Sequence, residues 1–271
     1  MMTCRSIGLQ FLMILLSGVA FAQQILTTKT VDSTHNMVVA IMRLDSNGKI
    51  LTRATGVLIH PRVILTAGHV NYKRYPDGID RRGFIAPTNT SLQTNNYIPF
   101  DWINNVLTHP DLPSQQKALA DTTGKLDPFG FVDIGLIFLD TPVKNRPIAK
   151  LPKQSLFNTL AARTIFLGVG YGYHKVRGST FKYNDIDGRR RKWRPETVAA
   201  VNDKWFLGTS ATQFTTVADS GAPLLINDNV IIGITSGNGK TLNTGRFVRV
   251  DNPAILDWIK DSVKKRLGVN L

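Results

Sequence analysis

From about Met37 onward the chain is cut into short apolar runs, rich in Val and Ile and separated by Gly, Pro, Asn and Asp. Met37 to Met42, Gly56 to Ile59, Val63 to Leu65, Ile134 to Leu139, Thr164 to Val169 and Val230 to Ile234 are examples. Runs this short and this rich in β-branched residues are strands. No helical period interrupts them before the C-terminus. Three polar stretches, Tyr72 to Asn96, Pro110 to Pro128 and His174 to Arg194, read as long loops of the functional or disordered kind. The last segment differs. Asn252 can cap, Pro253 suits a first helical position, and Ile255, Trp258, Ile259, Val263 and Leu267 recur at helical spacing before Gly268. Lys264, Lys265 and Arg266 fall in the last turn, where cations suit the helix dipole. The outline is a β body followed by one amphipathic helix.

At 271 residues, 42% of them apolar, the chain can bury a substantial core, and β proteins of this length often form one unit. The first residues read as an export signal: Arg5, an apolar stretch from Ile7 to Ala22, and the small-x-small end Ala20-Phe21-Ala22. Its apolar core is shorter than the roughly 20 residues a spanning helix needs, which favours cleavage before Gln23 over an anchor. The one cysteine, Cys4, lies inside this segment. The mature chain would then carry no disulfide, no thiol nucleophile and no thiolate metal site. Formal net charge is +14, concentrated in part in Arg189, Arg190, Arg191, Lys192 and Arg194. That run has two readings, contact with an anionic partner or a solvated basic loop. The absence of a helical face or binding motif favours the solvated loop.

Three segments carry the parts of nucleophilic catalysis. A serine hydroxyl needs a base to take its proton, an acid to orient that base, and N–H groups aimed at the oxyanion that forms. Val63-Ile64-Leu65-Thr66-Ala67-Gly68 ends on His69. Phe131-Val132 and Ile134 to Leu139 enclose Asp133 in an apolar run, where an unpaired carboxylate would cost several kcal/mol. Asp133 therefore needs a partner, and an imidazole N–H or a set of backbone amides would serve. Ala218-Asp219-Ser220-Gly221-Ala222-Pro223 surrounds Ser220 with small residues that let a substrate backbone approach. Taken singly, each has an ordinary reading: a structural histidine, an amide-capped carboxylate, a tight turn.

Together these segments resemble the trypsin/chymotrypsin serine protease family. Leu65 to His69 matches Leu-Thr-Ala-Ala-His with Gly for one Ala. Asp133 to Leu136 matches Asp-Ile-Ala-Leu, again with one small residue exchanged. Ala218 to Pro223 matches Gly-Asp-Ser-Gly-Gly-Pro with two Ala for Gly, and the order His, Asp, Ser is the family's. Gly170-Tyr171-Gly172, Ile232 to Gly237, Thr244 to Val250 and Asp257-Trp258-Ile259 resemble further family segments, so the likeness runs roughly from Met37 to Leu267. It implies an all-β fold of two antiparallel six-stranded Greek-key β-barrels packed together, with a C-terminal α-helix. The expected divisions are 1–22 signal, 23–150 first barrel with His69 and Asp133, 151–250 second barrel with Ser220, and 251–271 helix. By the same resemblance His69 is general base and acid, Asp133 orients it, Ser220 is the nucleophile of a secreted or periplasmic endopeptidase, and the N–H groups of Ala218 and Ser220 form the oxyanion hole.

The departures from the family pattern carry their own expectations. Ala218 stands where the family has glycine, which costs on the order of 1–2 kcal/mol where the backbone needs positive φ. No Ile-Val-Gly-Gly lies near Gln23 to Val39 to supply the amine that pairs with Asp219, so an internal basic or polar group is expected there, without activation by cleavage. Phe214 stands at the pocket base and Ser236, Gly237, Asn238 and Gly245 at its walls. That set argues against cleavage after Arg or Lys and favours small or modest apolar side chains. No metal or other cofactor is expected; His35, His60, His109 and His174 lack ligand spacing. The expected partner is a polypeptide substrate, with no nucleic acid, no stable membrane association and a monomeric state. The alternative is an inactive homologue serving as a binding module.

Overall fold

The computed structural model describes residues 25–26, 30–44, 50–71, 82–86, 97–113, 129–161, 163–172, 176–177, 189–210, 215–238 and 244–271. The export-signal segment, the loop 114–128 and Phe214 lie outside the described residues. Two curled antiparallel sheets make up the body. The first has seven strands, in the order Ile98–Asp101, Arg82–Ala86, Val38–Leu44, Ile50–His60, Val63–Thr66, Gly135–Phe138, Val106–Thr108. The second has eight, in the order Thr197–Ala200, Trp205–Thr209, Thr244–Arg249, Val230–Asn238, Pro223–Ile226, Leu167–Gly170, Arg191–Trp193, Thr30–Val31. Among the described residues each sheet thus exceeds the six strands of the expected barrel, and one strand of the second, Thr30–Val31, crosses over to pair with Arg191 and Lys192. A separate pair joins Ile25–Leu26 to Val176–Arg177.

Two of the expected loops contain strands. Arg82–Ala86 pairs with Val38–Leu44 and with Ile98–Asp101, inside the stretch read as loop from Tyr72 to Asn96. Arg191–Trp193 pairs with Leu167–Gly170, inside the stretch from His174 to Arg194. Both runs are short and begin with arginine, so composition hid them; neighbouring strands supply the hydrogen bonds that their own sequence does not advertise.

Val38 to Met42 are buried at every position rather than alternately, as are Val63 to Leu65 and Leu136 to Leu139. One apolar cluster continues from these through Leu225, Ile231, Ile234 and Val248 of the second sheet to the helix. Each such side chain contributes roughly 1.5–3 kcal/mol on burial. The helix Pro253–Leu267 docks by Ile255, Leu256, Ile259 and Val263. Its start is capped by the Asn252 side chain, which accepts from Ile255 N–H at 3.2 Å. Its end is Gly268 at φ 72°, whose N–H donates to Lys264 O.

The basic run is solvated only in part: Arg189 and Arg194 are exposed, but its middle turns inward. Arg190 is fully buried and Arg191 nearly so. Arg190 Nε donates to Asp32 Oδ2 at 2.7 Å, Nη2 to Asn36 Oδ1 at 2.9 Å and Nη1 to Val38 O at 3.2 Å. His35 closes the other side of the carboxylate, with Nδ1 2.7 Å from Asp32 Oδ1. Burial by itself would raise the Asp32 carboxyl, but the His35 hydrogen bond and the Arg190 charge outweigh it and hold it far below the usual range. The guanidinium therefore fastens the chain entering the first sheet to the second.

Candidate active site

Strand Val63–Thr66 runs straight into a 3-10 turn, Gly68–Asn71, and that turn carries His69 to the end of the first sheet. Asp133 sits just before the neighbouring strand Gly135–Phe138. Its carboxylate meets the histidine twice: Oδ1 accepts from His69 N–H at 2.7 Å, and Oδ2 lies 2.7 Å from Nδ1. The Ser236 hydroxyl donates to the same Oδ2 at 2.5 Å. Burial of Asp133 is complete and would raise its pKa. The His69 charge, the His69 hydrogen bonds and the Ser236 hydroxyl reverse that, so the carboxyl is lowered and ionised.

Ser220 comes from the turn before strand Pro223–Ile226 of the second sheet. Its Oγ is 2.9 Å from His69 Nε2. The turn is tight, with Ala222 N–H donating to Asp219 O at 2.7 Å and Gly221 N–H to Thr235 O at 2.8 Å. Gly221 has φ 84°, and a β-carbon there would fall 2.0 Å from Thr55 O. No other residue fits between the two sheets at that point. Thr55 of the first sheet clamps the turn. Its N–H donates to Ser220 O at 2.9 Å, its hydroxyl donates to Ala218 O at 2.8 Å, and that hydroxyl accepts from Tyr171 N–H at 3.0 Å.

Ala218 has φ 73°, the left-handed conformation that its position in the motif anticipates. Among the described residues, neither its N–H nor that of Ser220 donates a hydrogen bond. Asp219 is fully buried, and its partners include the polar internal groups expected in place of a chain terminus. Oδ1 accepts from Gly172 N–H at 2.9 Å, and Oδ2 accepts from Thr216 N–H at 2.8 Å and from the Thr216 hydroxyl at 2.9 Å. A β-carbon on Gly172 would fall 2.2 Å from Asp219 Oδ2, so the approach of the Gly170-Tyr171-Gly172 segment to this carboxylate requires glycine.

The fold and the motif line together agree with the trypsin family model, which matches residues 27–259. The chain belongs to the trypsin family. No curated protein sequence matches it. Among solved structures it is similar to scabies mite inactivated protease paralogue S-I1, at TM-score 0.63 and 18% identity over 89% of this chain and 99% of that one. It is similar to a mutant of human heparin binding protein, at TM-score 0.63 and 19% identity over 89% and 97% of the two chains. A Glu endopeptidase follows at TM-score 0.59 and 16% identity, over 87% and 95%. At these identities the likeness is one of fold.

The residues named for the substrate pocket are placed unevenly. Ser236 turns its hydroxyl to Asp133. Gly245 is buried, with Thr215 Cγ2 and the Phe247 ring only 2.9 and 3.0 Å from where its β-carbon would stand. Gly237 is crossed by the guanidinium of Arg246, its cross-strand partner. Arg246, Thr55 and Thr216 had no role at the site in the sequence reading, and only contacts between segments distant in sequence bring them there. No helix among the described residues is long and apolar enough to cross a membrane.

Proposed function

We propose that this member of the trypsin family is an exported serine endopeptidase that cleaves polypeptides through an acyl-enzyme on Ser220. The observation that carries the reading is the His69 ring, which reaches Asp133 Oδ2 at 2.7 Å through one nitrogen and Ser220 Oγ at 2.9 Å through the other. His69 takes the Ser220 proton as Oγ attacks the scissile carbonyl, then gives it to the leaving amine. Ionised Asp133 holds the ring with Nε2 facing the serine and stabilises the imidazolium. The N–H groups of Ala218 and Ser220 receive the oxyanion. With Asp219 held by Gly172 and Thr216, the site forms without cleavage of a pro-segment, and the mature chain begins near Gln23.

Labelling with a fluorophosphonate probe tests this. Wild type is expected to label and Ser220→Ala not to. Folded wild-type protein that never labels would remove the protease reading. It would leave the alternative, a binding module, which Ala218 in a left-handed conformation favours by straining the segment that must receive the oxyanion.

A further inference from the structure

Arg246 is a charge that acts on Asp133 and to which no role has yet been assigned. Strand Thr244–Arg249 pairs it with Gly237 of Val230–Asn238, and the register shifts between Thr235 and Gly237. Paired residues share a face of the sheet. Gly237 has no side chain, so the Arg246 guanidinium lies over the open backbone, with Nη2 3.3 Å from the site a β-carbon would take. The next residue toward the chain start, Ser236, donates to Asp133. The guanidinium therefore sits beside the strand that carries Ser236, next to the acid end of the triad.

This cation is half-buried, and no hydrogen-bonded ion pair holds it among the described residues. Its Nε is shut off from solvent with no hydrogen-bond partner among the described residues. Burial lowers its pKa, and Asp133, which His69 and Ser236 already hold by hydrogen bonds, is the anion that pulls it back up. Residues 239–243, which connect the two strands, are Gly-Lys-Thr-Leu-Asn and contain no acid. A guanidinium withdrawn from water without a carboxylate is costly, and its planar fork suits a carboxylate that arrives from outside.

We infer that Arg246 is a specificity determinant that binds an acidic side chain of the substrate, on a residue upstream of the scissile bond and beyond the one that enters the primary pocket. This rests on the protease reading. On the protease reading the residues upstream of an acyl group on Ser220 would run along Val230–Asn238, and Arg246 borders that strand at Gly237, where the backbone is bare. A carboxylate there gives the guanidinium the direct ion-pair partner that the distant Asp133 charge does not supply.

Two measurements on the mature protein separate the inference from the protease reading. In a fluorogenic peptide library with the pocket residue fixed, wild type is expected to prefer Asp or Glu over Gln at one of the second to fourth upstream positions by about tenfold in kcat/KM. Arg246→Gln should bring that ratio near one, Arg246→Lys should keep part of it, and Arg246→Glu should favour Lys instead. Binding of the same peptides to Ser220→Ala, read by fluorescence anisotropy, needs no turnover. The acidic peptide should bind more tightly, by a difference lost in Ser220→Ala/Arg246→Gln and weakened by salt. Equal binding of acidic and Gln peptides, or an acid preference that Arg246→Gln leaves intact, overturns the inference. An Arg246-dependent acid preference in binding with no turnover on any peptide sinks the protease reading and leaves Arg246 as the acid-binding residue of a peptide-binding module.

Discussion

Arg190 and Asp32 form an ion pair 2.7 Å long with both side chains fully excluded from solvent. The pair joins the segment before the first sheet to the segment that enters Arg191–Trp193 of the second. Removing one partner leaves a buried charge alone, which typically costs about 3–5 kcal/mol. Arg190→Gln and Asp32→Asn should each lower stability on that scale in urea unfolding, and the double variant should lose less than the two losses added together. Strict additivity would show that the charges do not act as a pair. Because the folded-state pKa of Asp32 is depressed, its contribution is present at neutral pH and is lost as pH falls through the acid range toward the folded value. Asp32→Asn should flatten that part of the stability profile.

Thr55 holds the Ser220 turn from the opposite sheet, by its backbone N–H and by a hydroxyl used as both donor and acceptor. Thr55→Val keeps the shape and removes the hydroxyl. Ala218 O and Tyr171 N–H then lose a buried partner, at roughly 1–3 kcal/mol each where nothing replaces it. The larger effect should fall on turnover, since this contact sets where Ser220 lies relative to His69. The expected outcome is kcat reduced at least about tenfold with a smaller change in KM. A variant with wild-type kcat would show that the turn holds its place without the clamp.

The three motif residues were legible because each sits in a run whose other members are forced to be small or apolar. Asp133 is the clearest case, since a carboxylate inside an apolar run needs a partner whatever the fold. The helix was legible for a similar reason, with cap, period and stop all local to residues 252–268. Arg190 was not. Nothing in a run of basic residues says which one turns inward, and its partner Asp32 is distant in sequence. Arg246 is hidden in the same way, because it is a half-buried charge only by virtue of its pairing with Gly237. Sequence gives the local pattern; cross-strand register decides which long polar side chains are taken out of water.

Ala218 at φ 73° is a residue with a β-carbon in a conformation that glycine adopts without penalty. Its left-handed geometry costs on the order of 1–2 kcal/mol, part of which glycine would return as unfolded-state entropy. Ala218→Gly should therefore raise the unfolding midpoint slightly or leave it level, and should raise kcat by letting the N–H turn freely toward the oxyanion. A clear loss of stability would mean that the alanine methyl packs usefully enough to outweigh the strain.

His109 gives the chain a stability that depends on pH near neutrality. The ring is buried, packs tilted against Trp258 with centroids 4.9 Å apart, and accepts from Asp111 N–H through Nδ1 at 3.2 Å. Burial lowers its pKa, with Asp111 pulling it up and Lys204 pushing it down. The unfolded chain thus takes up a proton near pH 6.5 that the folded ring refuses, and wherever the unfolded state binds more protons, stability rises with pH. This contribution is whole above about pH 6.5 and drains away below it until the folded ring also charges, when it loses its role as acceptor. His60, lowered by burial and by Arg62, acts in the same direction. The thermal midpoint should fall between pH 7.5 and pH 5.5, and His109→Asn, which keeps an acceptor but cannot titrate, should fall less over the same interval. An identical fall in both proteins would assign the effect to other groups.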